Sequence, residues 1–562
     1  MRLFDTVIPF LLAANVVSAS ATAAAALTAP PAIPTTNSAR KAAVVAAFQH
    51  SWDGYTKHAW GHDDLRPISN RYADTRNRWG ATIIDSMSTA ILMGLDEVLL
   101  KQVEWVKTVN FTTTEKGGAV SLFETTIRYI GGLLSAHDLL SGPYSHLIPD
   151  KAERAETLAL LVQQTETLAD TLIYGFDTPS GIPHNNLYIR KKTWSGRDPS
   201  GLAVAGTLIL EWTRLRDVLV SKLPVEQPIP QKYQKYVDVT LRAQNHLMNP
   251  VPASSEPFPG LVGAKIDVAT GQFLDAFGGW SGSTDSYYEY LLKSALYTPE
   301  YRSFGNTWLK AVDSTLQHLI MHPQGYDDIW MVAEYNGTKI LPRMGHLTCF
   351  IGGNLMLGGW HYGNATISKA GEKLTEGCRW AYKSSETGLG GEGWKVDGTV
   401  QYGGISVTNA DYILRPEVIE SYYYGLVFTG EEKYRDWAWE AFQSIEKYCK
   451  TGSGYMGLKD VNDVTERREG IDHMESFFLA ETLKYLFLIF EWGEGQKIDM
   501  REGWVFNTEA HPFRVQAGDI ANRGKEDGPV AKQAKESSAR SISVSSSTVA
   551  LLAFGALLVS AV

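Results

Sequence analysis

The sequence predicts an all-α fold in which paired helices close into a toroid around a central cavity, and three observations carry that expectation. Seven amphipathic stretches rich in aromatic and small residues recur along the chain, with their apolar residues at helical rather than alternating spacing. More charged candidate helices lie between them. From about Ala39 to Arg514 no Pro/Ser-rich linker or charge block interrupts the chain, so a single large domain is expected.

In chain order the seven stretches are Trp79–Gly94, Ser121–Leu140, Gly201–Leu219, Thr284–Tyr297, His346–Gly358, Arg415–Thr429 and His473–Phe490. Several end on helix-stopping glycines, as in Met93-Gly94 and Phe428-Thr429-Gly430. Candidate outer helices include Ala152–Leu172, Gln231–Met248 and Glu431–Tyr448. The spacing is irregular, so periodicity alone supports a large helical array. The alternation of apolar and charged helices suggests an inner ring that gathers its polar residues around a cavity.

The ends read as appendages. Arg2, an apolar run from Thr6 to Ala14 and the small residues Val17-Ser18-Ala19 suit a signal peptide over 1–19, cleaved before Ser20, followed by a low-complexity spacer over 20–38. Beyond the catalytic domain expected over 39–514 come a polar Ser-rich tail, 515–548, and an apolar segment, 549–562. That last segment has 14 residues, short of the roughly 20 a spanning helix needs. With the small triplet Ser537-Ser538-Ala539 upstream, it has the layout of a GPI-attachment signal. The compartment expected is the secretory pathway: secreted, GPI-anchored at the cell surface, or lumenal in the Golgi or endoplasmic reticulum. Acceptor triplets at Asn110, Asn336 and Asn364 agree with it. In an oxidising compartment two of Cys349, Cys378 and Cys449 can pair, and spacing does not choose which.

Composition narrows the function classes. With 44% hydrophobic residues, 16 Trp and 26 Tyr, the chain has ample apolar surface for one large core. A net charge of -10 opposes attraction to phosphate backbones, so nucleic acid is not an expected partner. There is no His-Glu-x-x-His or paired-cysteine zinc motif, no Gly-x-Ser-x-Gly elbow and no Walker-type loop.

The chemistry is signalled by acids embedded in apolar helices: Asp85, Glu124, Asp285, Glu417, Glu420 and Glu481. Removing a carboxylate from water costs several kcal/mol unless it is compensated, so some of these must face a wet, polar site. Glu124 and Arg128 share a helical face, and Arg415 lies two before Glu417, so arginine is the evident partner. Carboxyls converging from separate helices could supply an acid for a leaving oxygen and a base for water, which is the minimum for glycoside hydrolysis. Taken alone, His346 reads as a hydrogen-bonded core histidine.

Six ordered motifs then carry a resemblance. They are Ala59-Trp-Gly-His-Asp-Asp-Leu-Arg-Pro67, Ser121-Leu-Phe-Glu-Thr-Thr-Ile-Arg128, Asp285-Ser-Tyr-Tyr-Glu-Tyr-Leu-Leu-Lys293, Leu414-Arg-Pro-Glu417, Phe477-Phe-Leu-Ala-Glu-Thr-Leu-Lys-Tyr485 and Val505-Phe-Asn-Thr-Glu-Ala-His-Pro512. Over nearly all of Ala42 to Phe513 the chain resembles the class I α-1,2-mannosidases, glycoside hydrolase family forty-seven.

The resemblance implies an (α/α)7 barrel with Ca2+ at the base of the cavity and inverting removal of terminal α-1,2-mannose from high-mannose N-glycans by a monomeric enzyme. It implies Glu124 as general acid acting through water, Glu417 as general base, and Asp285 as a third essential carboxylate with an unsettled acid or base role. Inversion needs carboxyls about 6.5–9.5 Å apart to admit water. Thr508 would bind calcium through its carbonyl and hydroxyl, and oxygen-rich mixed coordination suits that ion. Glu420, Glu481 and Glu509 would orient its waters or the sugar hydroxyls. Arg128, Arg415, His346 and Phe477 would line the terminal-mannose subsite.

The resemblance also implies a Cys349–Cys378 disulfide, with Cys449 left as a buried thiol. The chain departs from the endoplasmic-reticulum members that remove one mannose: Ser283-Thr284 precede Asp285 where those carry Arg-Ala. Removal of several mannoses is therefore expected. One competitor shares the fold, a non-hydrolytic mannose-binding lectin of glycoprotein quality control.

Overall fold

The computed structural model describes residues 34–115, 117–196, 198–396 and 404–515. The first helix, α1 (Asn37–His58), starts where the Thr36 side chain accepts the Ala39 N–H, two residues before the expected domain boundary. It buries Val44, Phe48, Trp52 and Tyr55, a stripe at helical spacing.

The predicted first inner helix is two, α2 (Ala81–Asp85) and α3 (Met87–Leu92), and α4 (Asp96–Thr108) lies outside it. The second is composite: α5 (Leu122–Glu124), a π-helical stretch at Thr125–Ile130, then α6 (Gly131–Ser141). Next come α7 (Lys151–Leu172), α8 (Leu202–Gly206), α9 (Ile209–Val220), α10 (Gln231–Met248), α11 (Asp285–Tyr297) and α12 (Arg302–His318). The chain continues through α13 (Phe350–His361), α14 (Ala365–Lys383), α15 (Glu417–Thr429) and α16 (Lys433–Tyr448). A second π-helical stretch, Phe478–Thr482, leads into α17 (Leu483–Glu491).

Packing closes these helices into a ring. The inner helices follow one another around it: α3 on α6, α6 on α9, α8 and α9 on α11, then α13, α15 and α17, which returns to α3. Each has an outer partner. These are α4, α7, α10, α12, α14 and α16 in turn, and for α17 the partner is α1. Seven inner and seven outer positions, counted among the described residues, give the (α/α)7 barrel. Where α13 meets α14 the backbones touch through glycine, since a Cβ on Gly371 would sit 2.6 Å from the Gly352 carbonyl oxygen.

The connections carry short antiparallel strands of two to four residues that helical patterning did not signal. One hairpin, Trp504–Phe506 with Pro512–Arg514, packs against α11 and α6 and buries its turn, Asn507, Glu509 and His511, inside the barrel. The predicted signal peptide, nearly all of the spacer, and the polar and apolar tails lie outside the described residues.

Candidate active site

A cavity of about 380 Å³ opens where the inner helices begin. Asp285 and Glu289 stand in the first turns of α11, and Glu417 and Glu420 in the first turn of α15. Glu124 ends α5, and Glu481 lies in the second π-helical stretch. Helix N-termini favour negative charge, so this end of the ring is where the fold best tolerates carboxylates. The hairpin turn brings in Thr508 and Glu509, and Arg128, Arg415 and Phe477 complete the wall. Ten of the side chains expected at the site therefore meet in one cavity.

Local structure fixes them. Leu414, before Arg415, has φ 69°, a conformation unfavourable for a branched residue, and its carbonyl is held by the Thr482 hydroxyl at 2.7 Å. The turn carrying Thr508 is wound around Asn507, whose Oδ1 accepts the N–H groups of Glu509 and His511. Its Nδ2 donates to the Ile127 carbonyl and to buried Glu211.

One wall is governed by arginine. Arg128 donates through Nε to Glu124 at 2.7 Å and through Nη1 to Asp85 at 3.1 Å and to Glu509. Arg76 reaches Glu124 at 3.4 Å. Burial pushes the Glu124 carboxyl up, but Arg128 and then Arg76 outweigh it and hold the group below its ordinary range. The Nδ1 of His346 meets Glu417 at 2.8 Å, and Arg415, bound to Glu392 at 2.7 and 2.9 Å, lies 3.9 Å from it. Burial again acts upward on Glu417, and the His346 hydrogen bond followed by the Arg415 charge brings it low. The Phe477 ring lies 5.8 Å from the Arg128 guanidinium and 5.9 Å from that of Arg415.

The other wall is short of positive charge. Burial first, then the charges of Glu289 and Glu417, raise Asp285 to about 7. Glu420 is pushed up to about 8, chiefly by burial, despite Lys293 nearby. Glu481 is raised by burial and by Glu509, Glu417 and Glu420. Seven carboxylates and two arginines line the cavity. Thr508 donates its hydroxyl to Glu289 at 2.7 Å. An all-oxygen donor set, with repulsion between buried carboxylates that the Lys293–Glu289 ion pair relieves only in part, fits a hard divalent cation such as calcium and fits no thiolate- or imidazole-seeking metal.

Three expectations need adjustment or completion. His346 is 1% exposed and stands behind Glu417, its Nε2 facing the Tyr382 hydroxyl at 2.8 Å, so it is not part of the cavity lining. Asp85 is also behind the wall. Glu289, Arg76 and Glu392 were missed; only Glu289 had a local signal, four residues after Asp285 on the same helical face. A second acidic group, Asp64, His473 and Glu475, brings its ligand atoms within 4.8 Å of one another. The Arg76 guanidinium, 3.6 Å from Asp64 and 3.4 Å from Glu475, already compensates it.

Cys349 and Cys378 are joined, and Cys449 is buried and free. Asn110 and Asn336 are exposed; Asn364 is half-buried and caps α14.

Residues 47–515 match the family model described as Glycosyl hydrolase family 47. The chain is 42% identical over 494 residues to the mannosyl-oligosaccharide alpha-1,2-mannosidase 1B of Aspergillus phoenicis, covering 86% of this chain and 93% of the relative. The Aspergillus oryzae protein of the same name is 42% identical over 496 residues, covering 85% and 92%. Among solved structures, the alpha-1,2-mannosidase from Trichoderma reesei superposes with a TM-score of 0.79 at 39% identity, over 86% of this chain and 100% of that one. With this match along the whole barrel and a carboxylate-lined cavity at its centre, the chain belongs to glycosyl hydrolase family 47 and is a glycoside hydrolase.

Proposed function

We propose that the enzyme removes terminal α-1,2-linked mannose from high-mannose N-glycans by single displacement with inversion. The observation that carries this is the convergence of Glu124, Asp285 and Glu417 in one cavity of a family 47 barrel, with Glu417 held below its ordinary range and Asp285 raised to about 7. Glu417 takes a proton from the attacking water as that oxygen bonds to the anomeric carbon. The glycosidic oxygen departs with a proton.

The resemblance assigned that proton to Glu124. Its two arginines favour the ionised form, so in our reading Asp285 supplies the proton and Glu124 orients the water that passes it on. The Phe477 ring, between Arg128 and Arg415, offers an apolar surface for the sugar.

The residues suit Ca2+: Thr508 would hold it through hydroxyl and carbonyl, and Glu289, Glu420, Glu481 and Glu509 would order its water shell. When bound, the ion would supply an electrostatic grip on the sugar hydroxyls. Ser283, small and lining the cavity, supports removal of several mannoses rather than one.

The roles of the ends stay as read from sequence: signal peptide over 1–19, GPI-attachment signal over 549–562, glycans on Asn110, Asn336 and Asn364, and action as a monomer in the secretory pathway. No helix among the described residues is long and apolar enough to cross a membrane.

Release of free mannose from a high-mannose glycan, followed with and without EDTA, tests the proposal. Calcium-dependent release of several mannoses as the β-anomer is expected. Binding without release would mark the lectin, and release of the α-anomer would remove inversion.

A further inference from the structure

Asp85 is the acidic residue of the apolar helices that does not reach the cavity. It ends α2 with no exposure, and both its oxygens are in use. Oδ1 faces Nε2 of His511 at 3.1 Å, and Oδ2 accepts from the Ser476 hydroxyl and from Arg128. The other His511 nitrogen faces the Ser88 hydroxyl at 3.0 Å. Ser88, Ser476 and His511 are as fully buried as Asp85.

The protonation pattern follows from these partners. Burial keeps His511 neutral, pushing it down to about 4 against the opposing effect of its hydrogen bond to Asp85. Asp85 is ionised, because the His511 hydrogen bond and the Arg128 charge overcome its burial. A carboxylate only accepts, so Nε2 of His511 must carry the hydrogen and Nδ1 must accept from Ser88. Every group has one role left to it.

The four anchors come from distant parts of the chain: Asp85 and Ser88 from the first inner helix, Ser476 from just before the last, and His511 from the hairpin. Asp85 and Ser476 reach a guanidinium that must serve Glu124 through one nitrogen and Glu509 through another, and Ser88 and His511 act on it only through Asp85. A long side chain with those two targets needs a third fixed contact to hold its plane.

We propose that Asp85, locked by the His511–Ser88 pair and by Ser476, is a positioning residue for the hydrolysis: it sets the Arg128 fork so that Glu124 and Glu509 are engaged together. Asp85 itself touches no substrate. The proposal rests on Arg128 serving the reaction.

The test is a double-mutant cycle read as mannose release from a high-mannose glycan. Asp85→Asn keeps the shape and removes the charge; it is expected to lower kcat about 100-fold with little change in KM, the scale of a small misplacement at a reacting centre. In an Arg128→Lys background, where the fork is gone, the same change is expected to cost less than about threefold. Equal losses in the two backgrounds would overturn the positioning role. Should Asp85→Asn fail to fold, Ser88→Ala gives the same reading through the partner of His511: about a tenfold loss of kcat that vanishes beside Arg128→Lys. Full activity of Ser88→Ala, or a loss that persists unchanged beside Arg128→Lys, would end the proposal. A wild-type chain that releases no mannose breaks the assigned activity instead, whereas an active wild type with equal losses breaks only the clasp.

Discussion

The two walls of the cavity contain the same kind of side chain and treat it differently. Around Glu124 and Glu417, arginines and a histidine stand within hydrogen-bonding or ion-pair reach, and the carboxylates sit below their ordinary range. Around Asp285, Glu420 and Glu481, acids face acids, and burial with mutual repulsion drives them up. The compensated wall is complete as a protein structure. The other has fewer such partners, so its carboxyls keep their protons to higher pH, whereas Glu124 and Glu417 are held ionised.

The largest break in this comparison should come from Glu417→Gln, which removes the ionised base at almost constant volume. A fall in kcat of about 10³ is expected, with an unaltered circular dichroism spectrum. A near-normal rate would reassign the base.

Next comes the metal. EDTA should abolish turnover, and calcium should raise the melting temperature by several degrees, because binding to the folded state alone stabilises it by about 2.7 kcal/mol at 100 times Kd.

The under-compensated wall also sets a pH dependence. Asp285 and Glu420 bind protons more tightly folded than unfolded, so the native state holds the extra protons between their ordinary values and about 7 and 8. The stability these two groups contribute without calcium is therefore fully present below their ordinary values and lost as pH rises through about 7 to 8. Saturating calcium should flatten that slope. Melting curves across this range, with and without the ion, measure it, and identical slopes would show that the ion does not relieve this wall.

His346→Asn probes the compensated wall more gently. Losing the 2.8 Å contact lets the Glu417 carboxyl rise, so the acidic limb of kcat/KM should move up by about one pH unit. Smallest is Arg76→Gln, whose contact with Glu124 is longer than that of Arg128, 3.4 against 2.7 Å. A few-fold loss in kcat/KM is expected.

The architecture was legible because the inner helices bury most of their surface and announce themselves by composition as well as period. Boundaries were less so. Trp79–Gly94 is interrupted at Ser86, His346–Cys349 is a 3-10 turn preceding α13, and two inner helices contain π-helical stretches that bear Arg128 and Glu481. Such local widenings concentrate at functional sites and leave no trace in a 3.6-residue period.

Glu124 and Arg128 could be paired from sequence, since the contact is local. Arg76 and Glu392 could not. Each reaches the site across long stretches of chain, and Arg76 does so from a loop where Asn77 and Arg78 have φ 72° and 60°. His346 was assigned to the right neighbourhood and the wrong layer, because sequence does not say which of two packed side chains meets solvent.

The seat of α1 against α17 has a consequence for biosynthesis. Helix α1 meets its partner α17 only after more than 400 further residues have been made. Until then the annulus has a gap, and the hairpin that carries Thr508 arrives later still. Clipping either terminus into these elements should thus abolish activity outright rather than weaken it, and the nascent chain must wait with an apolar seam open, a state that chaperones are suited to shield.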